Sequence, residues 1–190
     1  MATTRLSRSP MVNPSINHEP QPSQPVGDLA SSAASTAQPR PTIDQIYKWL
    51  ASVMDPEIPV LSVIDLGIIR EVNWNGDALE IAITPTYTGC PATTAITEDI
   101  EMMLRRRGIT EIAVNRHLAP AWSSDWITST GRAKLEAYGI APPQLAGHPE
   151  RCPRCHSNNL FRVSEFGSTP CKALWRCQSC LEAFDYFKCL

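Results

Sequence analysis

No apolar run in the 190 residues approaches the roughly 20 consecutive residues that a membrane-spanning helix needs. A marked excess of either charge is missing as well. With 17 basic residues against 19 acidic, the composition does not ask for nucleic acid or an anionic membrane. Histidine is scarce, and His18, His117, His148 and His156 form none of the Glu-x-x-His pairs that a di-iron carboxylate site requires. A glycine-rich phosphate turn for flavin or nicotinamide is also absent, so direct catalysis is disfavoured. Arg5 and Arg8 are not followed by the apolar core of a signal peptide, and a cytoplasmic location is expected.

What the chain does have is cysteine, seven in all, with six of them in the last 39 residues. In a reducing compartment these are not disulfides, and an odd count leaves one unpaired under any complete scheme. Cys152-x-x-Cys155 and Cys177-x-x-Cys180 form two knuckles separated by 21 residues. Each tight turn can aim two sulfurs at one point, and four thiolates in a tetrahedron satisfy zinc with no open position. With short strand patterns at Leu160–Val163 and Leu174–Arg176, this reads as a zinc ribbon. Iron in a rubredoxin-like site is the rival occupant. Redox catalysis at Cys152 and Cys155 fits less well, because one closed site explains both knuckles.

Before the ribbon, residues 1–41 are rich in Pro, Ser, Ala and Gln and are expected to be a disordered tail. Thr42 and Gln45 make a capping box for a helix whose apolar face runs through Ile43, Ile46, Tyr47, Leu50, Val53 and Met54. It should stop near Asp55-Pro56. A strand entered through Gly67, a type I′ hairpin at Asn75-Gly76 and a return strand through Leu79, Ile81 and Ile83 follow. A helix over 91–107 ends in three arginines and Gly108, a third strand runs through Ile112 and Val114, and a last helix covers 128–138. The expected class is α+β: an α-β-β-α-β-α domain over 42–147, then the ribbon over 148–190. Eight basic against thirteen acidic residues between 42 and 147 weaken any nucleic-acid role for the first domain.

The chemistry of that domain centres on Thr84-Pro85-Thr86-Tyr87-Thr88-Gly89-Cys90-Pro91, where a strand gives way to a helix. Pro91 suits the first helical position and puts Cys90 at or beside the N-cap. Helix dipole and unpaired N–H groups there favour thiolate, making Cys90 a candidate nucleophile or soft-metal ligand; a buried cysteine acting as a small hydrophobe is the other reading. Asp55-Pro56-Glu57 is a stiff turn displaying two carboxylates, whose plainer roles are a turn cap and a solvated charge. Cys171 and Cys189 are not needed by the ribbon. With Cys90 they are enough for a labile metal or cluster site if the fold joins them, or they are three separate, unreactive thiols.

Asp55-Pro56-Glu57, Asp65-Leu66-Gly67-Ile68-Ile69 and the Thr84–Pro91 stretch, in this order and spacing, resemble the iron-sulfur assembly family once called domain of unknown function 59. Joined to the ribbon, with Gly167-Ser168-Thr169-Pro170-Cys171-Lys172-Ala173 and Phe184-Asp185-Tyr186-Phe187-Lys188-Cys189, residues 42–190 resemble the PaaD family of the bacterial phenylacetyl-CoA 1,2-epoxidase system. The resemblance implies an accessory subunit in aerobic phenylacetate catabolism that assists maturation and does not turn over substrate. Its implied partners are the di-iron oxygenase or the iron-sulfur flavin reductase. Its implied cargo is transient iron or an iron-sulfur cluster, with Cys90 as transfer thiolate and Asp55 and Glu57 as oxygen ligands or orienting groups. The alternative is a purely structural ribbon subunit with Cys90 inert.

Overall fold

The computed structural model describes residues 40–188; Cys189 and nearly all of the expected N-terminal tail lie outside them. Helix α1, Ile43–Leu50, opens with the expected capping box, Thr42 Oγ1 accepting from Gln45 N and Gln45 Oε1 from Thr42 N. It ends one turn earlier than its apolar period suggests. Val53 still reaches the core from the turn that follows, while Met54 is 36% exposed and forms an isolated bridge with Ser62.

Strands β1, Ile69–Asn75, and β2, Ala78–Ile83, form the hairpin. Asn75 pairs with Ala78, so the two central turn residues are Gly76 and Asp77. Only Gly76 takes a positive φ, 58°, which fits a type II′ turn and not the expected type I′. Helix α2, Ala92–Arg105, then crosses to β3, Ile112–Arg116, which lies parallel to β2 and gives the sheet order β1-β2-β3. Antiparallel strands can turn back directly, but a parallel pair needs a crossover, and α2 supplies it. Cys90 therefore sits between the carboxyl end of β2 and the start of that helix.

Helix α3, Ser129–Tyr138, is capped by Thr128 and stopped by Gly139 at φ 89°. Ile46, Leu50, Leu61, Val63, Leu79, Ile81, Ile100, Leu104 and Leu135 are fully buried in one cluster. Each such side chain contributes roughly 1.5–3 kcal/mol relative to exposure, so this cluster dominates the stability of the first lobe. Among the described residues no helix is long and apolar enough to cross a membrane.

The ribbon is a three-stranded antiparallel sheet: β4, Leu160–Ser164, β5, Lys172–Cys177, and β6, Ala183–Phe187. The sequence does not announce β6, because Phe184-Asp185-Tyr186-Phe187 is too short a run to separate from a loop. Its outer edge is covered: Ala141 N donates to Asp185 O and Phe187 N donates to Ala141 O. The end of the sheet remote from the knuckles enters the first lobe, for Cys171 and Phe187 belong to the large core cluster. Trp122 ties the two together, its ring 6.0 Å from that of Phe187 and its Nε1 donating to Leu66 O.

Asp65, in the Asp65-Leu66-Gly67 stretch, is an organising residue of the first lobe. Its Oδ2 accepts from Ser62 N, Ser62 Oγ and Lys134 Nζ, the last at 2.6 Å, and its backbone carbonyl accepts from Thr128 N. Burial alone would raise its pKa, but the Lys134 ammonium and the Ser62 donors hold it below the ordinary carboxylate value. A depressed folded pKa gives stabilisation that is present above the unfolded value and is lost as pH falls through the folded one. Asp65→Asn should therefore cost about 1–3 kcal/mol at neutral pH. The gap between variant and parent urea midpoints should close below about pH 4; a gap unchanged at acid pH would refute the assignment.

Candidate metal centres

Two cysteine-bearing sites lie at opposite ends of the ribbon sheet. At one end the Sγ atoms of Cys152, Cys155, Cys177 and Cys180 all lie within 4.8 Å of one another. Cys152 and Cys180 are 3.8 Å apart, and Cys155 and Cys177 are 3.6 Å apart. A tetrahedron with Zn–S bonds of about 2.3 Å has edges of about 3.8 Å, which these two separations match. Arg154 N points at Cys152 Sγ and Ser179 N at Cys177 Sγ, both at 3.4 Å, so each knuckle's own backbone stabilises a thiolate. Cys177 is lowered to about 6 by the backbone N–H groups of Cys180 and Ser179 and by neighbouring sulfurs. Four thiolates this close need a cation, and the donor set fits a closed structural site.

The second site gathers most of the residues singled out in the first lobe. Cys90 is half-buried beside the start of α2, its carbonyl accepting from Thr93 N and its N–H donating to Tyr87 O. It borders a narrow apolar cleft with Asp55, Leu66, Ile68, Ile83 and Pro85. Asp55, 8% exposed, accepts from Glu57 N and Ile58 N at 2.8 Å each, so it does cap its turn. Burial raises its pKa against those N–H groups and the Lys172 charge. Glu57 is half-buried, and burial with the adjacent Asp55 charge raises it too. Both shifts arise first from burial, and the Lys172 charge offsets each only in part.

Cys171 arrives from the ribbon. It is 4% exposed, its Sγ lies 3.0 Å from Thr169 Oγ1, and burial pushes its thiol pKa up, with Glu57 and Asp55 adding. Tyr87 joins it: burial, then Cys90, Glu57 and Cys171, push the phenol up to about 12. The Tyr87 hydroxyl is buried without a hydrogen-bond partner in good geometry, although the Cys90 sulfur is close enough to act on it. Asp55, Glu57, Cys90 and Cys171 thus share one neighbourhood, but they do not form a ready-made cage. Among the described residues, the ribbon tetrad is the one group in which three or more such ligand atoms converge.

Sequence reasoning misses Tyr87 and Lys172 as members of this neighbourhood. Both stand inside motif stretches, but nothing local says that a ribbon strand would seat its first residues against the Asp55 turn. His117 is exposed at the end of β3, as an ordinary surface residue.

Residues 43–114 match the family described as iron-sulfur cluster assembly protein, and residues 144–188 match the PaaD zinc beta ribbon domain. A protein of Escherichia coli strain K12 named "Putative 1,2-phenylacetyl-CoA epoxidase", one of the subunits of that system, is 48% identical over 158 residues, covering 79% of this chain and 94% of the relative. A protein of Porphyromonas gingivalis named Fe-S protein maturation auxiliary factor is 32% identical over 96 residues, covering 50% of this chain and 90% of the relative. The crystal structure of a domain of unknown function from Bacillus anthracis is 27% identical with a TM-score of 0.46, covering 48% of this chain and 89% of that one. With both of its characteristic domains matched in order and near-half identity along almost the whole of a relative, the chain belongs to the PaaD family of phenylacetyl-CoA epoxidase subunits.

Proposed function

We propose that this protein is a non-catalytic accessory subunit that helps mature a phenylacetyl-CoA epoxidase, holding iron or an iron-sulfur cluster transiently at the Cys90 site and passing it to the oxygenase or the reductase. The observation that carries the reading is that Cys90 shares its cleft with Asp55 while Cys90, Glu57 and Cys171 all act on the Tyr87 phenol, with no closed cage among them. A resident metal is normally held by three or four protein donors in fixed geometry. Partly exposed sulfur beside a buried carboxylate already occupied in capping its own turn suits a cargo that must leave. The names of the two relatives, an epoxidase subunit and a maturation factor, supply the chemical context.

The test compares oxygenase and reductase purified from cells that make this protein, lack it, or make Cys90→Ser. Iron and sulfide per partner chain should fall to the same low level in the last two, while Cys90→Ser protein itself keeps its ribbon zinc. Full partner iron with Cys90→Ser would leave the ribbon-only structural role standing and remove the transfer role.

A further inference from the structure

The arginines that close α2 do not all serve the helix they end. Arg107 lies over the Trp49 ring and donates from Nη1 to Met103 O, and Arg105 pairs with Glu101 at 3.0 Å. Arg106 does neither. It stands exposed just past the last helical residue, and among the described residues it forms no ion pair. Glu98 and Asp99, two turns earlier, are exposed and unpaired in the same sense. Between these charges Met102, 46% exposed, forms a ridge that divides two shallow grooves. Glu98 and Arg105 line one groove, Asp99 lines the other together with Met54, and Arg106 borders both. Residues seven apart on a helix share a face, so each flank of Met102 carries an acid followed by a base: Glu98 then Arg105, Asp99 then Arg106. The charge pattern reverses about the methionine.

We propose that this face of α2 is a self-complementary interface through which two copies of the chain form a two-fold dimer, their α2 helices antiparallel and Met102 at the axis. A two-fold contact uses the same patch on both copies, so the patch must complement itself. Turning α2 end for end about Met102 sets Glu98 against the second copy's Arg105 and Asp99 against the second copy's Arg106, and symmetry repeats both pairs. Flanking charges set the orientation of paired helices about an apolar seam in this way. A parallel pair would instead set acid against acid and base against base, so the pattern selects the antiparallel one. Exposed ion pairs add little each, and Met102 and Met54 supply an adaptable apolar contact. The expected dimer is therefore weak and salt-sensitive. The start of α2 lies about 15 Å along the helix from Met102, so the two-fold sends the two Cys90 sites to opposite ends of the paired helices.

Sedimentation velocity of the full chain, its ribbon filled with zinc, reads the association over a rising concentration series. The parent should pass from monomer to dimer, and added salt should weaken the association. Asp99→Arg and Arg106→Asp should each raise the dissociation constant at least about tenfold, because each turns both symmetry-related attractions into repulsions. An equimolar mixture of these two variants should dimerise as the parent does, since both of its contacts then join opposite charges. Met102→Glu, which brings two carboxylates together at the axis, should abolish association and leave the melting temperature unchanged. A parent that stays monomeric throughout overturns the inference and leaves this face to a different protein. A dimer that survives both Asp99→Arg and Met102→Glu overturns its place on α2. Well-folded single variants that fail to associate when mixed overturn the antiparallel pairing. Should Arg106→Asp unfold, Asp99→Arg and Met102→Glu decide, and parental association in both overturns the inference.

Discussion

Cys177→Ser should abolish the ribbon's metal and unfold it, with a loss far larger than any other single substitution in the chain. A lobe of roughly 40 residues has too little core to fold alone, and structural zinc supplies on the order of 10 kcal/mol to such modules. Cys177 is fully buried, and its sulfur both holds the tetrad and accepts from Ser179 N. The damage should spread, because Phe187 and Cys171 are built into the large core and Phe187 packs on Trp122. Withdrawing a buried phenylalanine costs about 3–5 kcal/mol, enough to soften the first lobe as well. Zinc content by elemental analysis and thermal unfolding by circular dichroism measure the two effects. Cys171→Ser is the control: one zinc should remain, with a cost of only about 1–2 kcal/mol for a polar group in a buried site. A Cys177→Ser protein with one zinc and parental melting would show that the ribbon does not depend on its metal.

The second large effect is expected at Gly67, which stands between the Asp65 turn and β1. Its φ is +66°, and an added Cβ would lie 2.3 Å from the Trp126 carbonyl oxygen and 2.8 Å from the Trp126 Cβ. The Trp126 backbone is held in a short 3-10 turn, Trp126 N donating to Ser123 O and Ile127 N to Ser124 O, so the carbonyl cannot swing away without breaking that turn. Gly67→Ala should therefore cost at least about 3–4 kcal/mol, the left-handed backbone and the steric overlap both contributing. Leu66 and Ile68 flank the glycine and line the cleft beside Cys90, so the strain should also reach the candidate cargo site. Gly76→Ala separates backbone from clash, because Gly76 has φ +58° and nothing within 4 Å of the added Cβ. Its cost should be near 1 kcal/mol. Equal urea midpoints for the two variants would show that the Trp126 contact is not rigid.

These expectations divide along the same line as the legibility of the chain. Capping at Thr42 and Thr128, the stop at Gly139, the hairpin, the α2 crossover and the four-sulfur site are encoded by neighbours a few residues apart, where spacing alone carries the physics. The type of the hairpin turn departs from what Asn75-Gly76 suggests because register, not the dipeptide, chooses its central residues.

The α+β class, the tetrathiolate ribbon and the place of Cys90 beside a helix start each follow from local periodicity, turn chemistry or ligand spacing. The entry of the ribbon's far end into the first lobe is a matter of packing between distant segments. There Cys171 and Lys172 come within electrostatic reach of Asp55 and Glu57, more than 100 positions earlier in the chain. Contacts over such separations depend on how two cores pack, and no local pattern of residues records that.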